Sequence, residues 1–115
     1  MTSIEEYRFG CIRVNGQRYH NDIIILKDKI IPEWWRRQGH VLAAYDLSAI
    51  VAAAPDLLVV GTGSSGMLRV SPEAAALLEA HSIVLETYPT ARAVHRFNEL
   101  SLEGKDVAGG FHLSC

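Results

Sequence analysis

Four stretches of this chain carry residue types that could do chemistry. Gly61-Thr62-Gly63-Ser64-Ser65-Gly66 has the G-x-G-x-x-G spacing of a dinucleotide-binding turn. It follows the apolar run Leu57-Leu58-Val59-Val60, and Glu86 lies about 20 residues further on, where that fingerprint places its ribose-binding acid. In the fingerprint, however, the helix opens inside the glycine run, so that its amides face the pyrophosphate. Here Met67-Leu68-Arg69-Val70 intervene, and the best helix start is Ser71-Pro72-Glu73. The delayed start argues against a dinucleotide. Two readings stay open. The glycines serve a tight turn with positive φ, or Gly61, Thr62, Gly63, Ser64 and Gly66 hold a carboxylate or phosphate in a crevice, assisted by Arg69 or His112.

The second stretch is His112-Leu113-Ser114-Cys115. A Cys near a His can be nucleophile and base, or two metal ligands. Zinc takes three or four protein ligands and no further Cys pair exists, so no metal site and no cofactor are expected. On a strand, His112 and Cys115 would also point to opposite faces. His20 and Asp22, two apart, would share a face and could hydrogen-bond, though a surface pair is the simpler reading. Neither a complete Ser-His-Asp set, a P-loop nor HExxH is present, so no catalytic residue can be named and the balance leans away from an enzyme.

The last is Trp34-Trp35-Arg36-Arg37, with His40 close behind. Adjacent residues on a helical turn differ by about 100° in direction, so the two rings cannot be equally buried. One belongs in a core. The other, flanked by arginines, suits a partner surface, because Trp and Arg dominate interface hot spots. It could equally lie flat on the protein's own surface.

These residues sit in a chain of 115 residues with net charge −2, enough for one domain spanning residues 1–115. The charge gives no pull toward nucleic acid or an anionic membrane. No apolar run reaches the roughly 20 residues of a membrane span, and the N-terminal residues resemble no secretory signal. A cytoplasmic setting is expected, with Cys11 and Cys115 as free thiols.

The elements that position the chemistry follow from periodicity. Tyr7–Val14 reads as a strand with a slip near Gly10, Asn15-Gly16 as a type I′ hairpin turn, and Gln17–His20 as its return. Asp22–Leu26 and Ile30-Ile31 read as two more strands around the turn Lys27-Asp28-Lys29. Pro32–Gly39 reads as a short helical turn. Leu47, Ile50, Val51 and Ala54 form a helical stripe that ends before Pro55. Leu57–Val60 lacks alternation and must be a central strand. Ser71 caps a helix with the inner stripe Ala74, Leu77, Leu78 and His81, and Ile83–Thr87 is a strand. Thr90 caps a third helix facing inward with Ala93, Val94, Phe97 and Leu100, and Val107–Leu113 is the last strand. In that strand Gly109 and Gly110 permit close approach of another element. The fold class is α/β: a central mixed, largely parallel sheet with a βαβαβ second half, plus an N-terminal antiparallel β-meander.

Taken together, Phe9-Gly10, Asn15-Gly16, His20-x-Asp22-Ile23-Ile24, Trp34-Trp35-Arg36, Gly39-His40, Val60-Gly61-Thr62-Gly63, Gly66-Met67, Pro89-Thr90, Ala93-Val94, Phe97-Asn98-Glu99-Leu100 and Phe111–Cys115 form an ordered series. The series resembles a small domain family of unknown function that includes mitochondrial complex I assembly factor 3 and the adipogenesis-associated domain protein. Without a mitochondrial presequence, the chain is similar to the stand-alone prokaryotic members. The resemblance implies a three-layer α/β fold with an extra β-layer, no established catalysis, and assistance to another protein. The expectation is therefore a binding or assembly-factor-like protein, monomeric or homodimeric, with a protein-partner surface at Trp34, Trp35, Arg36, Arg37 and His40. The alternative is a small-anion site or enzymatic domain at Gly61–Gly66.

Overall fold

Residues 2–115 are described in the computed structural model. Strand β1 (Ile4–Arg8) pairs antiparallel with β2 (Cys11–Val14), and β3 (Gln17–Tyr19) pairs with β2. This is the expected meander with one correction. Tyr7–Val14 is not a single strand with a slip at Gly10: Phe9-Gly10 is the turn between two strands, with Gly10 at φ 75°, and the register irregularity falls between Ile4 and Glu6. Asn15 and Gly16 take φ values of 50° and 84°, the left-handed conformations their hairpin needs.

The five-stranded central sheet has the order β5 (Ile30–Ile31), β4 (Ile23–Ile25), β10 (Val107–His112), β7 (Leu57–Thr62), β9 (Val84–Tyr88). Strands β7, β9 and β10 are parallel, and β4 runs antiparallel to β10. A two-stranded piece, β6 (Val41–Leu42) with β8 (Arg69–Val70), stands beside it.

Both faces of the sheet are buried, which is why its central strands show no polar alternation. One face sets Ile23, Ile25, Val59 and Phe111 against helix α3 (Thr90–Leu102) and the meander. Phe97 of α3 meets Phe111 edge to face at 5.8 Å, worth about 0.5–1.5 kcal/mol beyond area burial. The other face sets Ile24, Leu58, Val60 and Ala108 against Leu47, Ile50, Ala74 and Leu78, from helices α1 (Ser48–Ala53) and α2 (Pro72–Ala80) and the 3₁₀ turn Ala44–Leu47. Gly109 and Gly110 serve as expected: Gly109 lies under Phe97 and Phe111, and a Cβ on Gly110 would meet Trp34 at 2.9 Å.

Three local expectations are corrected. Pro32–Gly39 forms no helix. Its course is set by Trp34, whose amide donates to Asp22 O at 2.8 Å and whose Nε1 donates to Asp46 O at 3.3 Å. These tertiary bonds, with the ring seated on Gly110, outweigh the one helical turn the segment could make. Thr90 is not the cap of α3 but its first residue; its buried hydroxyl donates to His112 O at 2.6 Å and accepts from Gly63 N at 2.8 Å. His81 lies beyond the end of α2 and is exposed, not part of its inner stripe.

Candidate functional site

The register of β4 on β10 builds the site. Phe111 lies opposite Ile23, so the next residues along the two antiparallel strands, His112 and Asp22, come together at one end of the sheet. His112 Nδ1 is 2.7 Å from Asp22 Oδ2, and the Leu113 amide donates to Asp22 Oδ1 at 2.8 Å. The loop after β5 then delivers Arg36 from above. Its Nη2 donates to Asp22 Oδ2 at 2.7 Å and to Gly39 O at 2.9 Å, while its guanidinium carbon stands 4.8 Å from the centroid of Trp34. Placing the second ring outside, the chain buries Trp34 at 6% exposure and leaves Trp35 at 74%.

Burial alone would raise the Asp22 carboxyl. The His112 ring, the Leu113 amide and Arg36 outweigh it and hold the carboxyl below the usual aspartate range. Asp22 is therefore an anion between the Arg36 guanidinium and the His112 ring, and its carboxylate orients the imidazole. With Nδ1 facing the carboxylate, Nε2 is an acceptor in the neutral ring and a donor in the cation.

Three nitrogen atoms of this cluster are buried without a protein partner: Arg36 Nε, Arg36 Nη1 and His112 Nε2. The Arg36 and His112 side chains are 4% and 7% exposed. Both line a cleft of about 370 Å³ that also takes in Trp34, Trp35, His40 and His20. Unsatisfied buried polar atoms of this kind are rare in folded proteins. A larger cavity of about 430 Å³ near Leu26, Lys27 and Ala49 has no such atom among its described residues. Cys115 Sγ is 3.7 Å from Nε2 of His40, which lines the cleft, and the His40 ring meets His112 edge on at 5.6 Å. Among the described residues, no group of three or more His, Cys, Asp or Glu side chains could hold a metal ion.

The structure brings together Trp34, Trp35, Arg36, His40 and His112 at this cleft. Arg37 turns away, its guanidinium 4.3 Å from the Tyr45 ring centroid. The glycine loop stays outside. Its amides are engaged within the fold: Gly63 with Thr90 Oγ1, Ser64 with Ser114 O at 2.7 Å, and Gly66 with Gly63 O at 3.2 Å. Gly61 and Thr62 end β7, a Cβ on Gly61 would meet Thr90 Oγ1 at 2.8 Å, and exposed Arg69 extends β8. A loop with those three amides committed is a shaped turn, without an amide cradle for an anion. Glu86 is likewise engaged, accepting from Arg96 Nε and Tyr88 Oη at 2.8 Å each. Cys115 pairs with His40 rather than His112, and Asp22 bonds His112 rather than His20. Asp22 carries the site, yet its sequence neighbours gave it no signal beyond the His20 spacing, because its partners lie far along the chain.

A family model described as a protein of unknown function (DUF498/DUF598) matches residues 4–112. The chain belongs to this family. Solved structures with a similar fold include the following three. A conserved hypothetical protein of Pyrococcus horikoshii is 30% identical at TM-score 0.80, over 98% of this chain and 99% of that one. One from Bartonella henselae, described as an outer membrane protein, is 27% identical at TM-score 0.87, over 99% and 96%. A Bordetella parapertussis protein is 26% identical at TM-score 0.83, over 99% and 97%. Among the described residues of the present DUF498/DUF598 member, no helix is long and apolar enough to cross a membrane.

Proposed function

We propose that this chain is a binding protein whose cleft takes a small carboxylate-bearing molecule, with Arg36 and His112 on the anion and Trp35 covering its apolar part. The observation that supports the reading is the set of three unpartnered buried nitrogens, Arg36 Nε, Arg36 Nη1 and His112 Nε2, carried by two residues that line one cleft. A planar anion offers acceptors to the charged Arg36 guanidinium, and such charge-assisted bonds are among the stronger ones in a partly desolvated site. Arg36 is fixed by Asp22 and Gly39, so little side-chain entropy is lost on binding. The site is moved from the glycine loop to this cleft, and the setting is cytoplasmic.

The test is titration of Trp fluorescence with acetate, succinate and benzoate. Saturable change is expected in the native chain and its loss in Arg36→Gln. A flat response to all three at millimolar concentration overturns the reading.

A second reading, assistance to another protein, draws support from the resemblance to an assembly factor and from Trp35, which stands 74% exposed at the cleft rim. Trp and Arg at a cleft suit a partner's anchoring residue. Capture of partners on immobilised protein should fall for Trp35→Ala; equal recovery by native and variant chains counts against it.

A further inference from the structure

Cys115 stands beside His40, a residue of the cleft lining, and takes no part in anion binding. Its thiol is exposed, while Cys11 is buried with its sulfur 3.8 Å from Arg18 Nη1. Among the described residues Cys115 is thus the one accessible thiol, 3.7 Å from the His40 ring nitrogen Nε2. His40 lines the same cleft as Arg36 and His112, the two residues that carry the unpartnered buried nitrogens. Thiol and proton acceptor therefore adjoin the cleft that Arg36 and His112 line, with the His40 and His112 rings 5.6 Å apart.

We infer that Cys115 exchanges with small carboxylate-bearing disulfides, becoming a mixed disulfide while the carboxylate of the incoming molecule is held by Arg36 and His112. The inference rests on the anion-binding reading of the cleft and adds its substrate class. In the step, His40 Nε2 accepts the Cys115 proton and the sulfur attacks one sulfur of R–S–S–R. A bond forms between Cys115 Sγ and that sulfur as the R–S–S–R bond breaks. The leaving sulfur takes the electron pair and the proton from His40 and departs as R–SH. Cys115 is oxidised, the released half is reduced, and no other oxidant is needed.

The surroundings favour a disulfide over an acyl substrate. Acyl transfer needs donors for a developing oxyanion. Around Cys115 the amides of Ser64 and Met67 are already donated, to Ser114 O and Cys115 O at 2.7 Å and 3.1 Å. Disulfide exchange spreads its charge over sulfur atoms and depends on the thiolate and its access. Buried Cys11 offers no ready resolving thiol, so the product persists until an external thiol removes it.

The experiment follows modification of the full chain by intact mass, with oxidised glutathione (anionic) and cystamine (cationic) as probes. The expected result is a single adduct on Cys115, formed faster with oxidised glutathione than with cystamine. His40→Gln should slow it roughly tenfold, below the usual range for a positioned proton acceptor because sulfur is already a good nucleophile. Arg36→Gln should abolish the anionic preference; should it fold poorly, excess succinate competing with oxidised glutathione gives the same reading on the native chain. Equal rates for both probes, or no effect of His40→Gln, overturn the inference. Succinate titration of Cys115→Ser by Trp fluorescence separates the two readings. Binding there with an unreactive Cys115 in the native chain overturns the exchange alone, and absence of binding overturns both.

Discussion

Asp22 and His112, 90 positions apart, meet at 2.7 Å because β4 and β10 are antiparallel neighbours in one register. The same carboxylate receives Arg36 Nη2 and the Leu113 amide. One side chain therefore joins the start of β4, the end of β10 and the loop carrying both tryptophans. Asp22→Asn keeps the shape and removes the charge, leaving the Arg36 guanidinium buried without its counter-ion. The cost should be about 2–3 kcal/mol, below the usual figure for a broken buried pair because Asp22 is partly exposed. Urea denaturation of both chains measures it.

Acid should weaken the fold through the same group. Asp22 has its carboxyl lowered in the folded state, against the effect of its own burial, by His112, the Leu113 amide and Arg36. A lowered folded value adds stability that is fully present above the unfolded carboxylate value of about 4 and disappears as pH falls through the folded one. Glu86, lowered chiefly by its bond to Arg96, acts in the same direction. The urea midpoint should therefore drop on acidification below about pH 4, and drop less in Asp22→Asn. An equal fall in both chains would remove Asp22 from this account.

The two adjacent tryptophans should behave oppositely. Trp34 is buried on Gly110 and anchored through Asp46 O, so Trp34→Ala should cost about 3–5 kcal/mol. Trp35 stands in solvent, and Trp35→Ala should stay within about 0.5 kcal/mol of the native chain while weakening cleft binding. Thermal melts beside fluorescence titrations show both effects. Comparable destabilisation by the two substitutions would contradict the division of labour.

The elements that were legible carry local signals. Asn15-Gly16 dictates its hairpin, Ser71-Pro72 starts its helix with Ser71 Oγ accepting from Ala74 N at 3.0 Å, and Leu57–Val60 shows a strand covered on both sides. The site was only half legible. Trp34, Trp35, Arg36, His40 and His112 stand out by type, but what unites them is a strand register that brings Asp22 beside His112, which no spacing encodes. The glycine loop was ambiguous for the converse reason. Its spacing matches a ligand-binding pattern, while its amides are satisfied by Thr90 and Ser114, partners distant in sequence.

Gly110 links packing to the site. A Cβ there would meet Trp34 Cζ3 and Cη2 at 2.9 and 3.0 Å, and the ring cannot shift freely while its Nε1 donates to Asp46 O. Gly110→Ala should cost about 1–3 kcal/mol by overpacking. It should also loosen Arg36, whose guanidinium lies by that ring, and so weaken anion binding although residue 110 touches no ligand. Unchanged succinate affinity in a folded Gly110→Ala chain would show that Trp34 does not position Arg36.

Charge balance makes the last prediction. Asp22 already neutralises Arg36, so a carboxylate entering the cleft adds one negative charge to a site whose formal charge is zero when His112 is neutral. In a partly desolvated cleft that excess is unfavourable, and a proton on His112 Nε2 cancels it while converting that nitrogen from acceptor to donor. His112 Nδ1 already faces Asp22, so the added proton goes to the nitrogen that has no partner. Binding should therefore take up close to one proton when it begins from the neutral ring. Calorimetry of succinate binding in two buffers of different ionisation heat reads that number directly. His112→Gln should remove the buffer dependence and lower the affinity. A heat independent of buffer in the native chain would place the anion on Arg36 alone and take His112 out of the binding step.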